Sequence, residues 1–182
     1  MARAFVAVRP PEGVLAEVAR ATARARDEIG TARWTTSAQW HLTLQFLGNR
    51  ADLDAVGAAL GELAAPGGDV RLGGGGAFPS EERARILWLG VVEGAETLAG
   101  LAAAVGSLLA PLGHEPDDRP FHAHLTLARL ARPADARGAV AALGPGPVGE
   151  RWTVGEVVLY ESVTRRDGAE YRAHARFPLA TG

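Results

Sequence analysis

His41-Leu42-Thr43-Leu44 recurs as His124-Leu125-Thr126-Leu127. In an alanine-rich chain, chance repeats should consist of Ala, Gly and Leu. This one uses two of only five histidines. In a strand, residues i and i+2 face the same side. Each copy therefore presents an imidazole beside a hydroxyl and buries two leucines behind them. Two such strands across one cleft supply two acid/base groups and two hydroxyl donors around a single anion. That set suits phosphoryl chemistry without a metal.

Working outward from the two motifs, the elements repeat in order. Arg3–Arg9 reads as a strand, and Glu12–Ile29 as a helix opened by Pro10-Pro11. His41–Leu47 alternates as a strand and stops at Gly48-Asn49. Asp52–Ala64 reads as a helix with Asp52 as its cap. Val70–Leu72 and Ile86–Val92 read as strands around Gly73-Gly74-Gly75-Gly76. In the second half, Ala95–Leu112 is a long helix, Phe121–Leu130 holds the second motif strand, and Ala134–Leu143 is a short helix. Val154–Ser162 and Tyr171–Phe177 are strands joined by a hairpin turn at Arg165-Arg166-Asp167-Gly168. The expectation is an internally duplicated α+β fold. It has two small mixed or antiparallel sheets related by a pseudo-two-fold, helices outside and a central cleft holding both motifs. The whole chain, 1–182, is one two-lobed domain with intimately packed halves near 1–92 and 93–182.

Composition narrows the function. A hydrophobic content of 47% supports a sizeable core. No apolar run approaches the roughly 20 residues of a membrane span, so no membrane partner is expected. The N-terminal run is too short and too soon interrupted by Arg9-Pro10-Pro11 to be a secretory signal. Cysteine is absent, which excludes disulfides and thiolate catalysis and is compatible with a cytoplasmic location. All 19 basic residues are arginine, which excludes a lysine nucleophile or phosphate clamp. The net charge of −2 argues against a general nucleic-acid coat protein.

Single features are weaker than the pair. A lone His-x-Thr is most often an ordinary half-buried strand. Gly73–Gly76 lacks the Lys-Ser/Thr of a P-loop and is followed by Ala77-Phe78-Pro79, so a flexible crossing or bulged strand is expected. His122 shares the parity of His124. With no cysteine and no third ligand at a recognisable spacing, no metal or other cofactor is expected, and His122 is expected to line the cleft mouth or to be solvated. His114 and His174 are placed on the surface. Arg119, Arg132, Arg165 and Arg166 could line an RNA path, but they stand near turns, where single charges are ordinarily solvated.

The flanks carry a resemblance. Trp34 and Trp40-His41-Leu42-Thr43-Leu44-Gln45-Phe46-Leu47-Gly48 resemble the first motif of the RNA 2′,3′-cyclic phosphodiesterases, historically called 2′-5′ RNA ligases. These belong to the two-histidine phosphoesterase superfamily. Phe121-His122-Ala123-His124-Leu125-Thr126-Leu127-Ala128-Arg129 is similar to the second motif. Arg3–Val8, Leu159–Ser162, Gly168, Tyr171 and Phe177–Leu179 resemble that family too. Ala123 departs from it, standing where proline is common.

Opening a 2′,3′-cyclic phosphate needs a base to activate water and an acid to protonate the departing ribose oxygen. Two imidazoles, with an ordinary pKa of about 6.5, can divide those roles near neutral pH. Thr43 and Thr126 can donate hydrogen bonds to non-bridging oxygens. Motif symmetry leaves either assignment of the histidines open. The resemblance implies His124 as base, His41 as acid for the 3′-oxygen, and a 2′-phosphate product. It also implies the reverse, joining a cyclic phosphate to a 5′-hydroxyl. It places Arg129 against the phosphate and Phe46 near the base. Strict alternation opposes both, turning them away from the histidine face unless the strand ends, twists or bulges there. The implied partners are RNA ends or nucleotides bearing the cyclic phosphate, acted on by a monomer. Competing readings are another small cyclic phosphate, of ADP-ribose type, a 2′-5′ oligonucleotide, or a non-catalytic binder of RNA ends.

Overall fold

The computed structural model describes residues 1–165 and 168–180. Among them the elements run β1 (Ala2–Val8), α1 (Glu12–Arg26), β2 (Arg33–Trp34), β3 (Leu42–Ala51), α2 (Leu53–Leu60), β4 (Gly68–Phe78) and β5 (Ala84–Glu93). They continue with α3 (Ala95–Leu109), β6 (Leu125–Ala134), α4 (Arg137–Leu143), β7 (Pro147–Val154), β8 (Glu156–Arg165) and β9 (Gly168–Pro178). The fold is α+β, with a strongly curled antiparallel sheet. Its order is β7-β4-β5-β6-β3-β1-β8-β9, with β2 joining β6 from the side.

Two expectations need correction. The strands form one sheet, not two. The pair Leu42 and Leu125 joins β3 to β6 and makes two groups of four continuous. Each group also mixes early and late strands. β4 and β5 lie with β6 and β7, while β1 and β3 lie with β8 and β9. The reason is antiparallel pairing of neighbours. β4–β5 and β8–β9 pair as adjacent strands, and β5 and β1 each take a motif strand on their other edge.

The helices form where apolar residues recur at helical spacing. In α1, Val14, Leu15, Val18, Ala21, Thr22 and Ala25 are buried along one stripe. In α2, Asp52 is the cap, its Oδ1 accepting from the backbone N–H groups of Asp54 and Ala55 at 3.2 Å. α3 ends at Leu109 and a 3-10 turn carries the chain to Leu112, because Pro111 lacks the N–H that another α turn needs. The segment Ala95–Leu112 is long and apolar enough, by length and composition, to cross a membrane. That corrects the expectation about apolar runs, which alanine lengthens here. Its Leu98, Leu101, Val105 and Leu109 are buried in the core.

All four helices pack on one face of the sheet, where Val18, Leu60, Leu101 and Leu143 meet Leu42, Leu87 and Leu125. The other face carries a smaller cluster of Phe5, Ala7, Val158 and Tyr160, with Tyr171 packed against it. The helices therefore leave that face open to a ligand. Gly73–Gly76 lies inside β4, with a register shift between Leu72 and Gly75, so the bulged-strand alternative holds. β7 is additional to the expected strands, the nearest of which starts only at Val154. Pro147 is tolerated as the first residue of an edge strand. The second motif strand begins at Leu125 rather than Phe121, as residues 121–124 carry no ladder. Arg165 pairs with Gly168 as expected of the hairpin, while Arg166 and Asp167 lie outside the described residues.

Candidate active site

The register of the central joint brings the two motifs together. Leu42 is opposite Leu125 in an antiparallel pair, and both side chains enter the main core. The next positions then face each other on the open side, His41 across from Thr126 and Thr43 across from His124. Directly opposed residues share a face, and diagonal neighbours lie roughly 7–8 Å apart, which puts His41 and His124 across a gap of anion size. All four side chains are half-buried. His41, Thr43, His124 and Thr126 are thus gathered as the sequence predicted.

Both imidazoles are held in the same way. His41 Nδ1 is 2.7 Å from the Gln39 carbonyl oxygen, and His124 Nδ1 is 2.7 Å from that of His122. A carbonyl only accepts, so each Nδ1 carries the proton. Each Nε2 then remains for chemistry, a base when bare and an acid when protonated. Burial pushes His41 down to about 4, against the opposing pull of the Gln39 carbonyl and helped by the charges of Arg129, His124 and Arg9. Burial also lowers His124, with smaller contributions from His122 and Arg129. Without a ligand both rings are therefore neutral at pH 7. A bound anion offsets the lost hydration and restores a proton to one of them.

Aromatic rings line both sides. Phe5 stacks on His41 at 4.5 Å and on Tyr160 at 5.2 Å, and Tyr171 meets His41 edge-on at 5.2 Å. Around His124, Phe78 stands edge-on at 5.1 Å and Trp88 lies 6.2 Å away. The sequence reading missed Phe5. The alternation of Arg3, Phe5 and Ala7 on one face of β1 was the available signal.

A matched pair of bulges reverses the parity of Phe46 and Arg129. Along β3, Ala7 pairs with Thr43 but Val6 pairs with Gln45, so Leu44 is an extra residue. Along β6, Trp88 pairs with Thr126 but Leu87 pairs with Ala128, so Leu127 is extra. Leu44 and Gln45 are consecutively buried, as are Leu127 and Ala128. The next residues, Phe46 and Arg129, turn to the open face. Phe46 is 66% exposed. Both line a cleft of about 550 Å³ with Arg3, Arg33, Trp34 and Tyr171.

Residues 33–40 fix the second motif from the side. Arg33 pairs with Arg129 and Trp34 with Ala128. The Thr35 N–H donates to the Leu127 carbonyl at 2.9 Å, and its hydroxyl lies 2.9 Å from the Thr126 carbonyl. Trp40 Nε1 donates to that hydroxyl at 2.8 Å. Gln39 donates to the Ala169 carbonyl at 2.8 Å while its own carbonyl holds His41. Arg33 is not singled out from sequence, because the two-residue strand β2 carries no periodicity to read.

The other candidates sort differently. His122 is exposed, its ring 6.0 Å from that of His124. Among the described residues no group of three His, Asp or Glu is placed to hold a metal. His174 is exposed, whereas His114 is half-buried and its carbonyl accepts from Gln45 at 2.7 Å. Arg119 is paired with Asp117 and Arg165 with Glu170. Arg132 is exposed, and Arg166 lies outside the described residues.

Residues 10–166 match the model of the 2′-5′ RNA ligase superfamily. A Thermus thermophilus protein named RNA 2′,3′-cyclic phosphodiesterase is 34% identical over 192 aligned residues, covering 97% of this chain and 90% of the relative. A protein of the same name from Aeropyrum pernix is 31% identical over 159 residues, 82% of this chain and 90% of the relative. Among solved structures, the Thermus thermophilus protein TT0787 superposes with a TM-score of 0.81 at 30% identity over 97% of both chains. Escherichia coli LigT complexed with 3′-AMP superposes with a TM-score of 0.79 at 26% identity over 98% of both chains.

Proposed function

We propose that this chain, which belongs to the 2′-5′ RNA ligase superfamily, hydrolyses RNA 2′,3′-cyclic phosphate ends to 2′-phosphates by two-histidine acid/base catalysis. The observation that carries the reading is the Leu42–Leu125 register, which sets a His-Thr pair against its copy on the open face. The phosphate sits between the two Nε2 atoms. Thr43 and Thr126 hydroxyls and the Arg129 guanidinium take its non-bridging oxygens. His124 removes the proton of the attacking water and His41 protonates the departing O3′. In-line attack opposite O3′ leaves the phosphate on O2′. Phe46 and Tyr171 flank the nucleoside of the cyclic end. The same groups join the cyclic end to a second strand in a 2′-5′ linkage when a 5′-hydroxyl replaces water in that attack.

The domain reading is a duplication. The bounds Glu12–Arg26 and Leu42–Ala51 recur as Ala95–Leu109 and Leu125–Ala134 at one constant spacing along the chain. The bulges at Leu44 and Leu127 recur with them. Exchanging β1 with β5, β3 with β6 and β4 with β8 leaves the order β4-β5-β6-β3-β1-β8 unchanged on reversal. This pattern supports a pseudo-two-fold through the β3–β6 joint, and with it a single two-lobed domain whose second copy starts at β5 rather than after it.

The test is incubation with the four nucleoside 2′,3′-cyclic monophosphates and a short RNA ending in cyclic phosphate, with product isomers resolved by chromatography. The 2′-phosphate is expected. Exclusive 3′-phosphate contradicts the assignment of His41 to O3′. Retained binding without turnover makes the protein a non-catalytic binder.

A further inference from the structure

A second groove of about 540 Å³ is lined by Gly73–Gly75 and Gly90 of β4 and β5, by Ala95, Glu96 and Ala99 of α3, and by Phe121, His122 and Trp88. Two of these rings reach His124 of the proposed catalytic pair. Trp88 and His122 rings are 4.8 Å apart, and both approach His124, at 6.2 and 6.0 Å. Trp88 can lie flat there because a side chain at Gly76 would strike its ring at 2.2 Å.

We infer that this groove holds a second nucleoside, the one that carries the 5′-hydroxyl, in the joining and cleavage of a 2′-5′ phosphodiester. The inference rests on the acid/base assignment proposed above. In-line displacement puts the entering and leaving oxygens on opposite sides of phosphorus. O3′ and its ribose lie toward His41, beside the cleft of Phe46 and Tyr171. The entering oxygen therefore lies toward His124, where this groove begins. In joining, the 5′-oxygen bonds to phosphorus, the P–O3′ bond breaks, His124 takes the hydroxyl proton and His41 gives one to O3′. In cleavage O3′ attacks, the P–O5′ bond breaks, and both protons return.

Charge separates the two grooves independently. The cleft beside His41 is lined by Arg3, Arg33 and Arg129. Among the described residues, the groove beside His124 is lined by no arginine and carries Glu96. The first suits the phosphates of an RNA strand. The second suits an uncharged 5′-hydroxyl end and disfavours a 5′-phosphate. Phe121, 38% exposed at the groove edge, offers the base a stacking surface.

The experiment compares two substrates, adenosine 2′,3′-cyclic phosphate with water and the 2′-5′-linked dinucleoside monophosphate of adenosine, using wild type, Phe121→Ala and Ala99→Trp. Phe121→Ala removes the stacking ring and Ala99→Trp fills the groove. Both variants should hydrolyse the cyclic nucleotide as wild type does. Each should lose roughly tenfold or more in kcat/KM on the dinucleotide, through KM. Adenosine should inhibit wild-type dinucleotide cleavage more strongly than adenosine 5′-monophosphate. Equal losses on both substrates, no loss on either, or wild type that opens the cyclic nucleotide but neither cleaves the dinucleotide nor is inhibited by adenosine would overturn this inference alone. Wild type inert on both substrates would overturn the phosphodiesterase reading and this inference with it.

Discussion

Leu42 is the cross-strand partner of Leu125, and this one pair ties β3 to β6 at the centre of the sheet. Both leucines are essentially inaccessible, at 1% and 0% exposure. The same pair thus closes the core on one face and aligns the two His-Thr motifs on the other. Truncating either to alanine should cost about 2–5 kcal/mol of stability, read by urea unfolding. Loss below about 1 kcal/mol would mean that the joint tolerates a cavity and does not set the register.

The bulge after each motif makes separate predictions for Arg129 and Phe46. Arg129→Ala should slow turnover through lost stabilisation of charge on the phosphate, and leave the product isomer unchanged. A switch from 2′- to 3′-phosphate in that variant would show that Arg129 helps set the axis of attack.

Phe46→Ala should change folding stability by no more than about 0.5 kcal/mol, since the ring is largely exposed. It should raise KM for cyclic nucleotides and leave kcat near wild type, as expected when a stacking surface for the base is lost. A fall in kcat with KM unchanged would place Phe46 in the chemistry itself.

The histidines should also make stability depend on pH. Folding lowers His41 from the ordinary 6.5 to about 4 and lowers His124 in the same direction, chiefly by burial. Between those values the unfolded chain binds more protons than the folded one, so stability is full above about 6.5 and is lost as pH falls toward 4. Thermal unfolding should show Tm falling over that window. His41→Gln should flatten the fall. An unchanged slope in that variant would assign the pH dependence to other groups.

Much of the site was legible in the sequence. The repeated His-x-Thr fixed which side chains share a face, because alternation depends only on local extended backbone. The Asp52 cap and the stripe of α1 were legible for the same local reason. What could not be read depends on partners distant in the chain. The bulges at Leu44 and Leu127 arise where β1 and β5 set the ladder, so parity counted along one strand misplaced Phe46 and Arg129. β2 exists only through its pairing with β6. Gly73–Gly76 has no side-chain pattern, and pairing with β5 together with contacts to β7 decides that it is strand.

Catalysis turns on His41 and His124 as one acid/base unit across a shared phosphate. The most direct measurement is turnover of a nucleoside 2′,3′-cyclic monophosphate by His41→Ala, His124→Ala and the double variant, with folding checked by circular dichroism. Each single variant should lose roughly 10²–10⁴-fold in rate, and the double variant should lose little more than the worse single, because groups acting together are not additive. Near-wild-type turnover in either folded single variant would contradict the account.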